Sequence, residues 1–252
     1  MRQARAKSNP ELPASHRYQV RFASGPDEIR AAQKLRYHVF AEEYGARLKT
    51  SEPGLDVDYY DKYCEHLIVH DGHRDEIVGT YRVLTPGAAQ RVGSYYSESE
   101  FDLSNLTHIR HGIVEVGRSC VAAEHRTGSV ITLLWMKIAE YMVQNDYGYL
   151  IGCASIHMQD GGHNAANLYL RLGKENLAPP EYRVAPRIKL PYDTLANNQP
   201  AEMPPLIRGY LRAGCWVCGE PAWDPDFNSA DLLLLLPMSK ISARYQRHFI
   251  RS

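Results

Sequence analysis

Residues 113–156 constrain the fold more than any other part of this chain. "IVEVGRSCV" is an apolar, β-branched run. "TGSVITLLWMKIAEYMVQNDYG" (127–148) is apolar round much of its girth at helical spacing. "YLIGCASI" (149–156) is apolar without alternation, as a strand covered on both faces would be. Strand, long helix and strand in that order make a crossover, which sets the two strands parallel. Gly148 is expected to end the helix.

The flanking segments read as simpler elements. "YQVRFAS" (18–24) alternates as a strand, and Ser24 is expected to cap a helix with Pro26, Asp27 and Glu28 in its first turn. "EHLIVHD" (65–71) and "IVGTYRVLTP" (77–86) form a hairpin turned at "DGHRD". Residues 87–108 read as irregular, 164–174 as a short helix, 183–192 as a strand and 204–214 as a helix. Two strands near 215–219 and 230–236 precede a basic helical tail, "SARYQRHFIRS". The order β-α-β-β-β-α-β-α-β-α-β-β predicts an α/β (α+β) domain: a mixed, mostly antiparallel sheet with a central parallel crossover and flanking helices. Without a linker or repeat, residues 17–252 form one domain. The leader 1–16, "MRQARAKSNPELPASH", reads as disordered and lacks the apolar core of a signal peptide.

Charge and cysteine content narrow the function classes. Lysine plus arginine equals aspartate plus glutamate at 29 each, so no global charge points to nucleic acid. No apolar run nears the ~20 residues of a membrane span. The five cysteines are Cys64, Cys120 and Cys153 in expected strands and the pair in "CWVC", Cys215 and Cys218. An odd, scattered set suits a reducing, cytoplasmic compartment, with Cys215 and Cys218 as strand residues. His66, His70 and His73 are expected along the hairpin surface, and no metal site is expected.

Four charges stand where a core should be: Arg36 on the apolar line Ile29, Ala32, Phe40 of the first helix, and Arg82, Glu115 and Arg118 inside strands. Each needs a partner or a ligand. Regular alternation sends residues 115 and 118 to opposite faces; Gly117 permits a bulge that brings both to one face and frees a backbone N–H. A structural ion-pair network is one outcome. The other is a site for acyl transfer to an amine: the carboxylate takes the amine's proton, the amide holds the oxyanion, arginines hold an acceptor carboxylate, and Asp58 or Asp61 holds an ammonium.

"LRYHVFAEEYGARL", "LDVDYYDKYCEHLIV", "IVGTYRVL", "VEVGRSCV" and "CGEPAWDPDFNSADLLLLLPMSKISARYQRHF" together resemble the ornithine–acyl-ACP N-acyltransferases, which make lyso-ornithine lipid on the GNAT acyltransferase fold. The first four are similar also to acyl-homoserine-lactone synthases, the alternative activity; a non-catalytic acyl-carrier or lipid-binding protein is a third reading. The resemblance implies catalytic roles for Glu115 and Arg118 and acceptor binding by Arg36, Phe40, Asp58, Asp61 and Arg82. It implies donor phosphopantetheine binding by Val116, Gly117, Arg126, Thr127 and Gly128. No cofactor is implied; acyl carrier protein and an amino acid, ornithine by default, are the partners. Typical GNAT enzymes place an Arg/Gln-x-x-Gly-x-Gly/Ala loop here for the CoA pyrophosphate, whereas "EHRTGSVI" is one residue short and lacks the second glycine. That departure suits a carrier-bound donor with one phosphodiester. Arg244, Arg247 and Arg251 would face an acidic carrier or an anionic membrane at the inner face of the cytoplasmic membrane.

Overall fold

A computed structural model describes residues 17–241. The leader, the basic tail and its arginines 244, 247 and 251 lie outside the described residues. Ten strands and six α-helices are described: β1 (Tyr18–Phe22), α1 (Pro26–Tyr37), β2 (Glu65–Asp71), β3 (Glu76–Leu84), α2 (Pro86–Val92), β4 (Phe101–Asp102), β5 (Ile113–Val121), α3 (Ser129–Gln144), β6 (Tyr149–His157), α4 (His163–Glu175), β7 (Ala185–Pro186), α5 (Tyr192–Leu195), α6 (Pro205–Ala213), β8 (Trp216–Val217), β9 (Ala222–Asp224) and β10 (Ser229–Pro237). The main sheet runs β1-β2-β3-β5-β6-β10-β8, with β9 also on β10. Strand pairs in it are antiparallel except β5–β6, which the crossover through α3 makes parallel, as the sequence predicts.

Apolar layers cover both faces. α3 packs Val130, Leu134, Ile138 and Met142 onto Leu67, Val83 and Val114. On the other half, Leu168, Leu172 and Ile207 from α4 and α6 cover Leu232, Leu234 and Ile156. Leu233 and Leu235 point the opposite way, into a third cluster with Phe101, Leu106 and Ile113. The leucine run 232–236 is continuous because β10 is buried on both sides.

Several local expectations are corrected. Ser24 does not cap α1; the N-cap is Gly25, and Glu28 instead accepts hydrogen bonds from the Ser24 amide and hydroxyl at 2.7 and 3.0 Å. α3 ends at Gln144, before Gly148, because Asn145 and the left-handed Asp146 (φ 54°) close the helix early. The stretch 87–108 holds a helix, α2, capped by Thr85 Oγ and closed by Gly93. The expected strand 183–192 forms no continuous ladder: the two residues of β7 pair with β4, and Val184 and Lys189 make isolated bridges to Gly219 and Ala222; Pro186 and Pro191 cannot donate to a ladder. His66 is no surface residue: it is buried, and its Nε2–H donates to the Asp61 carbonyl at 3.0 Å. Cys215 and Cys218 are buried free thiols on either side of β8.

One feature of the sheet creates the site. β5 and β6 pair only at Ile113↔Tyr149, Val114↔Leu150 and Glu115↔Ile151, after which both strands continue but part. β6 stays on β10 along its whole length. At the fork, a Cβ on Gly152 would stand 2.5 Å from the Val116 carbonyl oxygen, so only glycine lets the strands approach there. The gap beyond Glu115 is where a ligand can enter the sheet.

Candidate active site

The parted strands open a cavity of about 590 Å³, lined by residues 115–121 of β5 and by Gly152, Cys153 and Ser155 of β6. Glu115 is the last paired residue before the fork and is 4% exposed. Its Oε2 accepts from the Tyr96 amide at 2.6 Å. Its Oε1 accepts from the Ser97 amide at 2.8 Å and from the Ser97 hydroxyl. Burial pushes the Glu115 carboxyl up, against the opposing pull of those hydrogen bonds and of the Arg82 charge. A buried carboxyl raised in this way is a candidate proton acceptor.

The expected bulge is present, but one residue later than predicted. Thr80 pairs with Cys120 and Arg82 with Gly117, so Tyr81 faces both Arg118 and Ser119. Arg118, not Gly117, takes the left-handed conformation, with φ at 52°. The bulge brings the Arg118 side chain to the same cavity as Glu115. Its guanidinium carbon lies 4.9 Å from the rings of both Tyr96 and Phe227.

The Asp-x-x-Asp spacing has a local cause. Asp61 Oδ2 accepts from the Asp58 amide at 2.8 Å, folding the segment so that both carboxylates face the arginines. Arg36, fully buried, donates from Nε to Asp56 Oδ2 and from Nη1 to Asp61 Oδ1, both at 2.8 Å. Arg82 Nη1 stands 2.6 Å from Asp58, and Arg118 Nη2 and Nε stand 3.4 and 3.2 Å from Asp58 and Asp56. Burial alone would raise the Asp61 carboxyl, yet the hydrogen bonds and charge of Arg36, with the charge of Arg82, hold it at about 2. Three guanidiniums and three carboxylates thus neutralise one another. Arg36, Asp58 and Asp61 sit behind the cavity wall, while Arg82 and Arg118 reach the cavity itself.

Phe40 lines the cavity from a π-helical turn, His38–Glu43, that follows α1. Its ring meets Phe227 edge-on at 5.9 Å. At the start of α3, Gly128 takes φ 95°, and no side chain caps the helix among the described residues, which leaves its first amides for an anion. Thr127 Oγ and Ser129 Oγ hydrogen bond at 3.1 Å. Arg126 lines the same end of the cavity but bonds to Glu43 at 2.6 Å and to the Val121 carbonyl at 2.9 Å. Val116 and Gly117 line the cavity from β5.

Sequence reasoning missed an acidic group across the cavity. Carboxylate oxygens of Glu100, Asp224 and Asp231 lie within 4.8 Å of one another, and all three residues line the cavity. Asp231 is buried and accepts from Ser229 Oγ at 3.0 Å, while Glu100 Oε2 is buried without a hydrogen-bond partner. Burial and the neighbouring Asp231 charge push the Glu100 carboxyl far above the usual range. Such a set suits a hard cation or an ammonium. The signal was an aspartate opening the otherwise apolar "ADLLLLLP". Glu76, Glu124 and His125 form a second group of metal-ligating type, largely at the surface.

Known proteins resemble this chain in sequence and in fold. Residues 35–136 match the acetyltransferase (GNAT) domain family. The L-ornithine N(alpha)-acyltransferase of Agrobacterium fabrum (strain C58) is 37% identical over 248 residues, covering 92% of this chain and 84% of that protein. The enzyme of the same name from Rhodobacter capsulatus is 34% identical, covering 93% and 95%. Among solved structures, FeeM, an N-acyl amino acid synthase from uncultured soil microbes, superposes with a TM-score of 0.57 at 14% identity over 93% of this chain and all of that one. The acyl-homoserine-lactone synthase LasI superposes at 0.51 with 15% identity over 92% and 94%, a likeness of fold. With a parallel fork that opens at a buried glutamate, and with relatives this similar over nearly its whole length, the chain is an acyltransferase of the L-ornithine N(alpha)-acyltransferase family.

Proposed function

We propose that the protein moves a fatty acyl group from acyl carrier protein to the α-amino group of ornithine, giving lyso-ornithine lipid. The observation that carries this reading is the fork at Glu115, which sets a buried carboxylate at the mouth of a gap between two strands. An extended, amide-bearing arm can lie against the unpaired edge of β5 in the manner of an added strand, and the 4′-phosphopantetheine of a carrier protein is such an arm. Its thioester would reach Val116 and Gly117, and its single phosphodiester the open amides of α3, with Arg126 moving from Glu43 to meet it. Glu115 takes the proton of the attacking amine. The C–N bond forms as the C–S bond breaks, and the proton passes to the departing thiolate.

The acceptor is read from charge. Arg82 and Arg118 offer planar donors to the amino acid's carboxylate. Across the cavity from Glu115, the acidic group Glu100, Asp224 and Asp231 has no ion pair among the described residues, and it fits the second ammonium of a diamino acid. Glu100→Gln should therefore raise the ornithine KM by about tenfold or more, as lost charged hydrogen bonds do, while an acceptor without a side-chain amine gains relative to ornithine. An equal effect on both acceptors would remove the acidic group from the site. Because burial and the Asp231 charge raise the Glu100 carboxyl, an ammonium bound beside it should displace a proton from the acidic group, read as a buffer-dependent binding enthalpy.

Donor competition tests the whole reading. The short "RTGSV" turn offers fewer amides than a CoA pyrophosphate uses, so acyl-ACP is expected to outcompete the same acyl group on CoA. The preference should shrink as salt screens the carrier's acidic surface. Equal kcat/KM for the two donors at low salt would leave a CoA-dependent enzyme, and a lactone product would move the protein to the homoserine-lactone synthases. Among the described residues no helix is long and apolar enough to cross a membrane; we place the enzyme on the cytoplasmic side, where its donor is made.

A further inference from the structure

Beside the main cavity lies a second space of about 80 Å³ between α3 and α6. Trp135, Ile138, Ala139 and Met142 line it from α3, and Tyr210 and Ala213 from α6. Apart from the phenol and indole tips, its walls are hydrocarbon and sulfur. Tyr81, Val116, Leu150, Tyr210, Cys215 and Leu236 line both spaces, so they share a wall. In that wall the Tyr81 and Tyr210 hydroxyls hydrogen bond to each other, deep in the protein, with the Trp135 ring 5.2 Å from that of Tyr210. A Cβ on Gly209 would stand 2.2 Å from the Trp135 ring, so α6 lies directly against that indole.

The two spaces differ in chemistry. The main cavity carries the charged groups, whereas the smaller one offers no charged side chain to a polar ligand. What it can hold is a methylene chain, and Val116, next to Glu115, lines both spaces. We propose that the smaller space receives the methyl end of the acyl chain. The chain parts the Tyr81–Tyr210 contact to enter, and Ala139 and Ala213 set the longest chain accepted. This rests on the acyl-transfer reading above. A wall of two tyrosines closed on each other keeps water out of an apolar space, because one hydroxyl donates to the other across it.

The test enlarges the two alanines. Ala139→Phe places a ring in the space from α3; Ala213→Phe does so from the last residue of α6, where the backbone can yield, which guards against a variant that fails to fold. With acyl-ACP donors of increasing length, each methylene shut out should lower kcat/KM about fourfold. Long donors should therefore fall by about tenfold or more relative to short ones, and the N-acyl products should shorten. An unchanged length profile in both folded variants would overturn the proposal. Binding gives a reading that needs no turnover. A fatty acid brominated at its terminal carbon should quench Trp135 fluorescence more than one brominated beside the carboxyl, and Trp135→Phe should abolish the difference. Equal quenching by the two positions would also overturn the proposal. Positional quenching without any ornithine-dependent turnover would sustain the chamber and sink the acyl-transfer reading. Turnover with neither effect would do the reverse.

Discussion

Replacing Glu115 with glutamine is expected to lower kcat by roughly 10²–10⁴-fold in a protein that still folds, the usual loss when a general base is removed. The residue also holds a turn, since both its oxygens accept from residues 96 and 97. A carboxamide turns an NH₂ toward one of those donors and leaves it unpaired, at about 1–3 kcal/mol. The two roles separate by pH. A buried carboxyl raised above the usual range must lose its proton before it can act as a base, so the wild-type rate rises with pH through that ionisation. A residue that only held the turn would leave the limb in place in the variant. A folded Glu115→Gln enzyme with near wild-type kcat and an unchanged acid limb would end the assignment.

Arg36→Ala should destabilise the fold by about 3 kcal/mol, the lower part of the range for opening a buried ion pair. The loss is limited because Arg118 and Arg82 stand 3.2 Å from Asp56 and 3.6 Å from Asp61 and keep part of the compensation. The acid limb supplies a second signature. Asp61 is held at about 2, below its unfolded value; its contribution is present above the unfolded value and is lost as pH falls toward 2. Without Arg36 the Asp61 carboxyl should take up its proton at higher pH, so acid unfolding begins earlier. Urea midpoints at neutral pH and an acid titration read both effects. A midpoint within about 0.5 kcal/mol of wild type would mean that Arg36 is not what holds the aspartate segment.

The crossover was legible because its helix, 129–144, is apolar at helical spacing and lies between two runs, 113–121 and 149–157, rich in β-branched and apolar residues. The two charges in 113–121 did not obscure the strand. The misplaced features share a different origin. The bulge fell on Arg118 because the register of β3 against β5 decides which residue turns left-handed, and sequence points first to the neighbouring glycine. Arg36 read as an inward cation, but its partners lie 20 and 25 positions away, and spacing along the chain does not show that they close on it. His66 lies in the buried part of β2, where the Asp61 carbonyl of the aspartate segment accepts a hydrogen bond from its Nε2–H. Helix α2 carried a Thr-Pro start and a Gly stop, yet its alanines and glutamine form no apolar stripe. Glu100, Asp224 and Asp231 come from three distant segments that only the fold brings together.

The left-handed backbone of Arg118 has a consequence for how this enzyme can be improved. A residue with a Cβ held at φ 52° carries about 1–2 kcal/mol of conformational strain that glycine would not. Arg118→Gly would relieve it and at once remove the guanidinium that stands between Tyr96 and Phe227 and pairs with Asp56 and Asp58. At this position selection for a sturdier protein and selection for a working one pull in opposite directions. A search for thermostable variants that ignores turnover will be drawn to residue 118, and the sequence as it stands shows which of the two demands prevailed.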